Sequence, residues 1–343
     1  MCIRRWSAMN KNTDFALCLH GFFNSYLNKY RNASANTLSS YSYTFSLFLK
    51  YVRDKKGIYP HSFSISQLNA ETVQSFLNWL EDERGNSITT RNQRLGAIHS
   101  FCRYLEINYP QYLINIQSIL SIQMKKAPKP TINYLSHDGI KLLFSQPNQA
   151  SKQGLRDLII LTMLYDVGAR ASEITDIRLE DLFLQNPASI RLRGKGNKFR
   201  QVPLMSQVVA LTKKYLETRK SYIGSEYLFI NPSGQKLTRG GITYILQKYC
   251  DRARLIDSNL IPKKISPHCL RHSKAMHLLQ SGVNLIYIRD FLGHADIKTT
   301  EIYAKANPEM KRNALERAYA ELAPKIDKDW TDDNDIMEWL KSF

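Results

Sequence analysis

Long apolar runs are missing from this 343-residue chain, so no transmembrane helix is expected. Cysteine is scarce: Cys2, Cys18, Cys102, Cys250 and Cys269 are odd in number, scattered, and form no CxxC pair. That excludes a disulfide scaffold and predicts a reduced, cytoplasmic setting. There is no GxxxxGKS/T loop for a nucleotide, no carboxylate cluster at metal-ligand spacing, no internal repeat and no low-complexity run. The opening MCIRRWSAMNKNTDF is basic but has no apolar stretch before a small-residue cleavage site, so no signal peptide is expected; Met9 is a second candidate start. Acid is in short supply too. Against 48 Lys and Arg stand 30 Asp and Glu, a net charge of +18. That excess predicts an anionic partner, nucleic acid first and a membrane surface as its rival. Hydrophobic residues make up 43%, enough for a sizeable core, and the length predicts about two domains.

Four amphipathic helices are legible in the first hundred or so residues. Phe15, Leu19, Phe22, Phe23, Tyr26, Leu27 and Tyr30 mark the first. Leu38, Tyr41, Phe45, Phe48, Leu49 and Val52 mark the second, opened by Asn36 or Thr37. Val73, Phe76, Leu77 and Leu80 follow Asn69; Leu95, Ile98, Cys102 and Leu105 follow a DERGNS turn. Arg91 and Arg94 fall opposite the apolar stripe of the fourth helix. With Lys50, Arg53, Lys55 and Lys56 they can contact a DNA backbone, although any one of them taken alone reads as a solvated surface charge. The domains expected are a helical DNA-binding domain over 1–122, an extended basic linker over 123–134, a second domain over 135–325, and an acidic amphipathic tail over 326–343.

In the second domain Ser136 opens a helix, and LRDLIILTMLYDVG, apolar nearly all round, predicts a central buried helix ended by Gly168. Arg170 follows at the start of the next helix, three residues before Glu173; pairing with Glu173 or Asp176 would make it purely structural. Residues 189–204 read as a β-hairpin, with Ile190 and Leu192 alternating on one arm, Val202 and Leu204 on the other, and Lys195 and Lys198 at a GKG tip. Thr238 starts a further helix. Ser266 and Pro267 then open a helix carrying His268 and Arg271 on one face, with a stop at Gly282. Asn284 opens NLIYIRDFL, Gly293 closes it, His294 follows at once, and Tyr303 comes nine residues later. Pro308 opens a last helix, and the tail holds Trp330, Ile336, Met337, Trp339, Leu340 and Phe343.

Arg170, Lys195, His268, Arg271, His294 and Tyr303 together suit chemistry on a phosphodiester. Attack on phosphorus adds about one negative charge, which preorganised cations stabilise. Two arginines can clamp the non-bridging oxygens. A phenol, with a pKa of about 10, needs nearby cations and a histidine acceptor before it attacks. A lysine can protonate the departing 5′ oxygen, and a covalent phosphotyrosine stores the bond energy, so no nucleotide cofactor and no metal is required. Singly, each residue has a plainer reading. Tyr303 is one of 19 tyrosines and can be core, and His294 can cap a helix C-terminus. His268, Cys269, His272 and His277 can be taken for a zinc cluster, but adjacent His268 and Cys269 are poorly spaced for it.

The residues HCLRH, LGH and the tyrosine nine after that histidine, with GARASEI around Arg170 and RGKGNKFRQVPL around Lys195, resemble the tyrosine recombinase (phage integrase) family. The resemblance covers most of the chain and is nearest to Xer-like recombinases and mobile-element integrases. It implies a mainly α fold with a small β-sheet: an N-terminal helical core-binding, SAM-like domain and a catalytic domain, closing as a C-shaped clamp on DNA. By the same resemblance Tyr303 is the nucleophile forming a 3′-phosphotyrosyl link, and Arg170 and Arg271 bind the scissile phosphate. His268 assists proton transfer, His294 hydrogen-bonds the phosphate, Lys195 is the general acid and Glu173 supports the site. The implied partners are a double-stranded recombination site, a homotetramer on two such sites, and accessory DNA-bending proteins or a partner recombinase. The tail then passes between subunits, the protein works on the nucleoid in the cytoplasm, and no separate arm-binding domain precedes the first helix. Ala169 and Lys274 depart from the usual pattern at non-catalytic positions. Xer-type chromosome dimer resolution, a type IB topoisomerase, and a non-catalytic DNA-binding regulator on the same scaffold stand as alternatives.

Overall fold

Helix caps written into the sequence delimit most of the elements. The structure is a computed structural model, and it describes residues 13–128, 132–194, 198–219, 226–294, 296–306 and 334–343. Two compact units divide at Pro130 and Thr131.

The first unit is helical. Thr13 caps α1 (Asp14–Gly21) by accepting from the Ala16 amide, and the chain continues as a π-helical turn over Phe22–Tyr30. Ser34, rather than Asn36 or Thr37, caps α2 (Ala35–Lys56), because its hydroxyl reaches the Thr37 amide; Gly57 closes that helix at φ 68°. Asn69 caps α3 (Ala70–Asp82) and Ser87 caps α4 (Ile88–Asn108). A fifth helix, α5 (Leu113–Leu120), goes beyond the four expected. The core is aromatic: Phe15 meets Phe63 edge-on at 5.0 Å, Phe22 meets Phe101 at 5.2 Å, and Phe48 meets Phe76 at 5.3 Å.

Two expectations for this unit need correcting. Arg91 is not a surface cation. It is 2% exposed, lies 3.6 Å from Glu81, and donates to Asn92 Oδ1 and the Gln123 carbonyl. Its guanidinium is committed to tying α4 to Glu81 and to the chain at Gln123, so the structure gives it a structural role in place of the backbone contact expected. The start of the expected linker is also not free, since Lys125 exchanges two backbone hydrogen bonds with the Asn92 side chain and pairs with Glu81 at 2.7 Å. Helix α4 is therefore covered on a second side, which periodicity alone does not reveal. Arg94 is half-buried against α2, donating to the Ser40 carbonyl and Thr44 Oγ1 and lying 4.9 Å over the Tyr43 ring. Lys50 is exposed, whereas Arg53, Lys55 and Lys56 pair with Asp54, Glu83 and Glu71.

In the second unit Ser136 caps α6 (His137–Phe144) as expected. Helix α7 (Lys152–Asp166) is the central one, buried at every position from Gly154 to Tyr165. It ends before Gly168, at φ 57°, where a Cβ would stand 2.9 Å from Phe291 and 3.0 Å from Leu292. Then come α8 (Ala171–Asp176), a short strand β1 (Leu182–Phe183), and the expected hairpin as β2 (Ser189–Arg193) and β3 (Phe199–Pro203). The sheet is antiparallel in the order β1-β2-β3, with Ile190 opposite Val202 and Leu192 opposite Arg200. Helices α9 (Ser206–Thr218), not anticipated, and α10 (Arg239–Ile256), capped by Thr238 as expected, complete the wall of the core. Next are α11 (Pro267–Gln280), α12 (Leu285–Leu292) capped by Asn284, α13 (Lys298–Ala306) and α14 (Asn334–Lys341). The far end of the expected linker belongs to this unit as well: Leu135 is buried and its amide donates to Ser273 Oγ. Lys195, the helix expected after Pro308, and residues 326–333 of the tail lie outside the described residues. No helix among the described residues is long and apolar enough to cross a membrane.

Candidate active site

The junction between α7 and α8 places Arg170 at the N-cap of α8, where its own amide donates to Glu173 Oε2 at 2.8 Å. Its guanidinium donates to Glu173 Oε1 at 2.7 Å. Glu173 is 3% exposed, so its charge needs partners, and Arg170 is only one of them. Arg200 from β3 forks onto both carboxylate oxygens, at 2.9 and 2.8 Å, and Arg271 Nη1 stands 4.0 Å away. Burial alone would raise the Glu173 pKa; the hydrogen bonds and charge of Arg200, then those of Arg170, outweigh it and hold the carboxyl at about 2. Three guanidinium groups are thus organised around one carboxylate.

Arg200 is the member that the sequence reading missed, and a signal was available. Strand alternation puts Leu204, Val202 and Arg200 on one face, so an arginine on the core side of β3 demands a buried acid. Arg200 Nε also donates to the Phe291 carbonyl, and its side chain packs at 3.0 Å from where a Cβ on Gly293 would be. Gly293 itself ends α12 at φ 65°. This one arginine therefore ties the hairpin to α8 and to the turn that presents His294.

Helix α11 carries Arg271, 2% exposed, which donates to the carbonyls of Gly168 and Leu292. It so fastens the end of α7 to the end of α12. Burial first, and then Arg170, lower its pKa to about 9, which leaves it charged at neutral pH. His268 lies one turn earlier on α11, its pKa lowered by burial and by Arg271 and Arg170. His294 Nδ1 is 2.9 Å from Thr300 Oγ1, leaving Nε2 for another partner; burial and then Arg271, Arg170 and Arg200 pull it to about 4, so it is neutral. Neutral, it can donate a hydrogen bond to a phosphate without adding a charge.

Tyr303, on α13, is 1% exposed. It packs with Ala275, Met276, Ile288 and Leu292, so the plain core reading of this residue is half true. Its hydroxyl, however, meets His272 Nδ1 at 2.8 Å. Burial raises the phenol to about 12 against the pull of Arg271 and Arg170. His272, held near 4 by burial and by His268 and Arg271, is neutral. His268, to which the sequence reading gave proton transfer, makes no such contact with the tyrosine. The histidines once grouped as a zinc set have other partners: His277 Nδ1 meets the Tyr165 hydroxyl at 2.8 Å and its ring stacks on His137 at 3.7 Å. The structure brings Arg170, Glu173, His268, Arg271, His294 and Tyr303 to one region; Lys195 is outside the described residues, and Lys198 is exposed at the neighbouring hairpin end. Such an arrangement can bind a singly charged phosphodiester, stabilise added charge on it, and offer a phenol as nucleophile.

Comparison with known proteins identifies the family. The family described as the phage integrase family matches residues 133–310, and the phage integrase N-terminal SAM-like domain matches residues 21–107. A protein of Sinorhizobium fredii named as an integrase/recombinase, y4rC, is 34% identical over 336 residues, spanning 98% of this chain and 100% of that protein. The tyrosine recombinase XerD of Listeria monocytogenes is 31% identical over 278 residues, 80% of this chain and 89% of its own. Among solved structures, the XerH recombinase in a post-cleavage complex with its difH substrate shares the fold at a TM-score of 0.64 and 23% identity, covering 84% of this chain and 80% of that one. The Tn1549 transposon integrase with transposon-end DNA shares it at 0.61 and 18%, over 81% and 99%. With both domains matched in order and a relative alike over its full length, the chain belongs to the phage integrase family of tyrosine site-specific DNA recombinases.

Proposed function

We propose that this recombinase integrates or excises a mobile element, cutting and rejoining each strand through a 3′-phosphotyrosyl intermediate on Tyr303. The observation that carries it is the placement of a buried tyrosine under the influence of Arg271 and Arg170, with the guanidinium groups fixed by Glu173. Arg170 and Arg271 clamp the scissile phosphate, His294 donates to it, and Lys195 protonates the 5′ oxygen. The +18 charge fits a double-stranded DNA partner, with Lys50 and Lys198 as backbone contacts. A homotetramer on two sites is the working assembly. Helix α14, which leaves Ile336, Trp339 and Leu340 exposed with Phe343 just beyond it, is its exchanged segment. The full-length likeness to an integrase/recombinase favours a mobile element. Chromosome dimer resolution is the second reading, favoured by the 31% identity to XerD.

The test is adduct capture from a randomised pool of nicked duplexes, in which a covalently held strand cannot be rejoined. The wild-type chain yields a covalent adduct, with or without chelator, and Tyr303→Phe yields none. An adduct in Tyr303→Phe moves the nucleophile elsewhere, and loss of cleavage in chelator refutes the metal-free chemistry.

A further inference from the structure

Sequence alone gives His272 no role beyond a discounted zinc set, yet it holds the nucleophile. Its Nδ1 is 2.8 Å from the Tyr303 hydroxyl, the two rings being 5.6 Å apart and inclined at 58°. Tyr303 is 1% exposed, so its hydroxyl is shielded from bulk water and its proton needs an acceptor within the protein. Among the described residues His272 is the hydrogen-bond partner at that oxygen. His268, one helical turn earlier, has its ring 6.2 Å from that of His272.

Resting on the recombinase reading above, the geometry points to His272 as a catalytic residue that takes the Tyr303 proton on Nδ1 during strand cleavage. As Tyr303 Oη bonds to phosphorus, the bond from phosphorus to the 5′ oxygen breaks. The phenolic proton passes to His272 Nδ1, and the 5′ oxygen takes a proton from the general acid assigned to Lys195. In rejoining, the 5′ hydroxyl attacks the phosphotyrosine, gives its proton back to the lysine, and the imidazolium returns a proton to Oη. Nothing is oxidised or reduced. The charged and titratable groups facing His272 are His268 and Arg271 from its own helix, Tyr303 from α13, and His294 from the turn after α12. Burial, then His268 and Arg271, keep it neutral, near 4, so in its Nε2-protonated tautomer Nδ1 holds a lone pair throughout the neutral range. Transfer ahead of attack is uphill, because Tyr303 stands at about 12. The proton therefore leaves as the new bond forms and the phenolic oxygen loses its basicity. The negative charge gathering on the phosphate then opposes the effect of Arg271 on the imidazole.

Two substitutions in the full-length chain separate this role from a structural one. His272→Asn keeps an acceptor atom near the Nδ1 position but cannot take a proton; His272→Leu removes the acceptor. The probe is a nicked duplex recovered by adduct capture with the wild-type chain. Both variants bind this duplex as tightly as wild type and form the adduct about 100-fold more slowly or worse in a single turnover. The wild-type rate is flat between about pH 6.5 and 8.5, whereas the variant rates climb with pH as the fraction of Tyr303 already ionised before attack rises. A fluorinated tyrosine at position 303, whose phenol is more acidic, recovers about tenfold in His272→Asn and changes wild type little. Full-rate cleavage by His272→Asn refutes proton acceptance even if His272→Leu fails to fold. A wild-type chain that forms no adduct on any duplex overturns the recombinase reading itself, an outcome distinct from a variant that cleaves normally.

Discussion

Replacing Glu173 by glutamine tests the centre of the site without changing its shape. The carboxylate accepts from the Arg170 amide, from Arg170 Nη1 and from two nitrogens of Arg200, and it lies 4.0 Å from Arg271. An amide offers one acceptor oxygen and turns an NH2 group toward guanidinium donors. Two of the four hydrogen bonds are lost, and the three buried or half-buried cations lose their counter-charge. The carboxyl is held at about 2 against an ordinary 4.5, which at about 1.4 kcal/mol per pH unit corresponds to about 3–4 kcal/mol. Breaking a buried ion pair on one side costs about 3–5 kcal/mol, in agreement. Glu173→Gln is therefore expected to destabilise the second unit by about 3 kcal/mol, read from urea dependence of amide hydrogen exchange in α8 and β3. Arg200→Met combined with Glu173→Gln should cost less than the two changes added, because it removes one of the stranded charges. A single-variant loss below about 1 kcal/mol, or strict additivity in the double variant, refutes the account of Glu173 as the hub.

The same unit should weaken in mild acid. His272, His277 and His294 each fall from 6.5 to about 4 in the folded chain, so the unfolded chain binds protons that the folded one refuses. Their contribution is complete above 6.5 and lost as pH falls toward 4, whereas that of Glu173 is lost only below 4.5; unfolding midpoints level from pH 8 to 7 and falling through pH 6 and 5 check this, and a flat profile refutes it. In the first unit, Arg91→Ala should lower stability by about 3 kcal/mol and leave the salt dependence of DNA binding unchanged, since Arg91 is buried against Glu81. Lys50→Ala should do the reverse, leaving stability as it is and reducing the slope of log K against log salt by about 0.9; equal slopes for both variants remove Lys50 from the interface.

Much of this protein is local and was therefore legible. Asn69, Ser136, Thr238 and Asn284 cap the helices they were expected to cap, and Gly168 and Gly293 take the left-handed conformations that stop them. The hairpin alternation held, and the motif order carried the family. Capping, turn and alternation rules depend on neighbours a few residues apart, which a sequence displays directly. Helices α5 and α9 escaped notice because nothing in the chain marked them as strongly as the caps and stops marked the others.

Tertiary structure decided the rest, for one reason: a periodic pattern says which residues share a face but not what covers it. Helix α4 has a second covered side, so Arg91 is sealed in although it lies off the apolar stripe. Arg200 lies on the inner face of β3 by alternation, but only the approach of α8 supplies Glu173 to it. His268 and His272 are four apart on α11, and the sequence motif pointed to His268; the packing of α13 on α11 sets the Tyr303 hydroxyl against His272. The sequence determined which chemical groups this site owns, and long-range packing determined which of them touch.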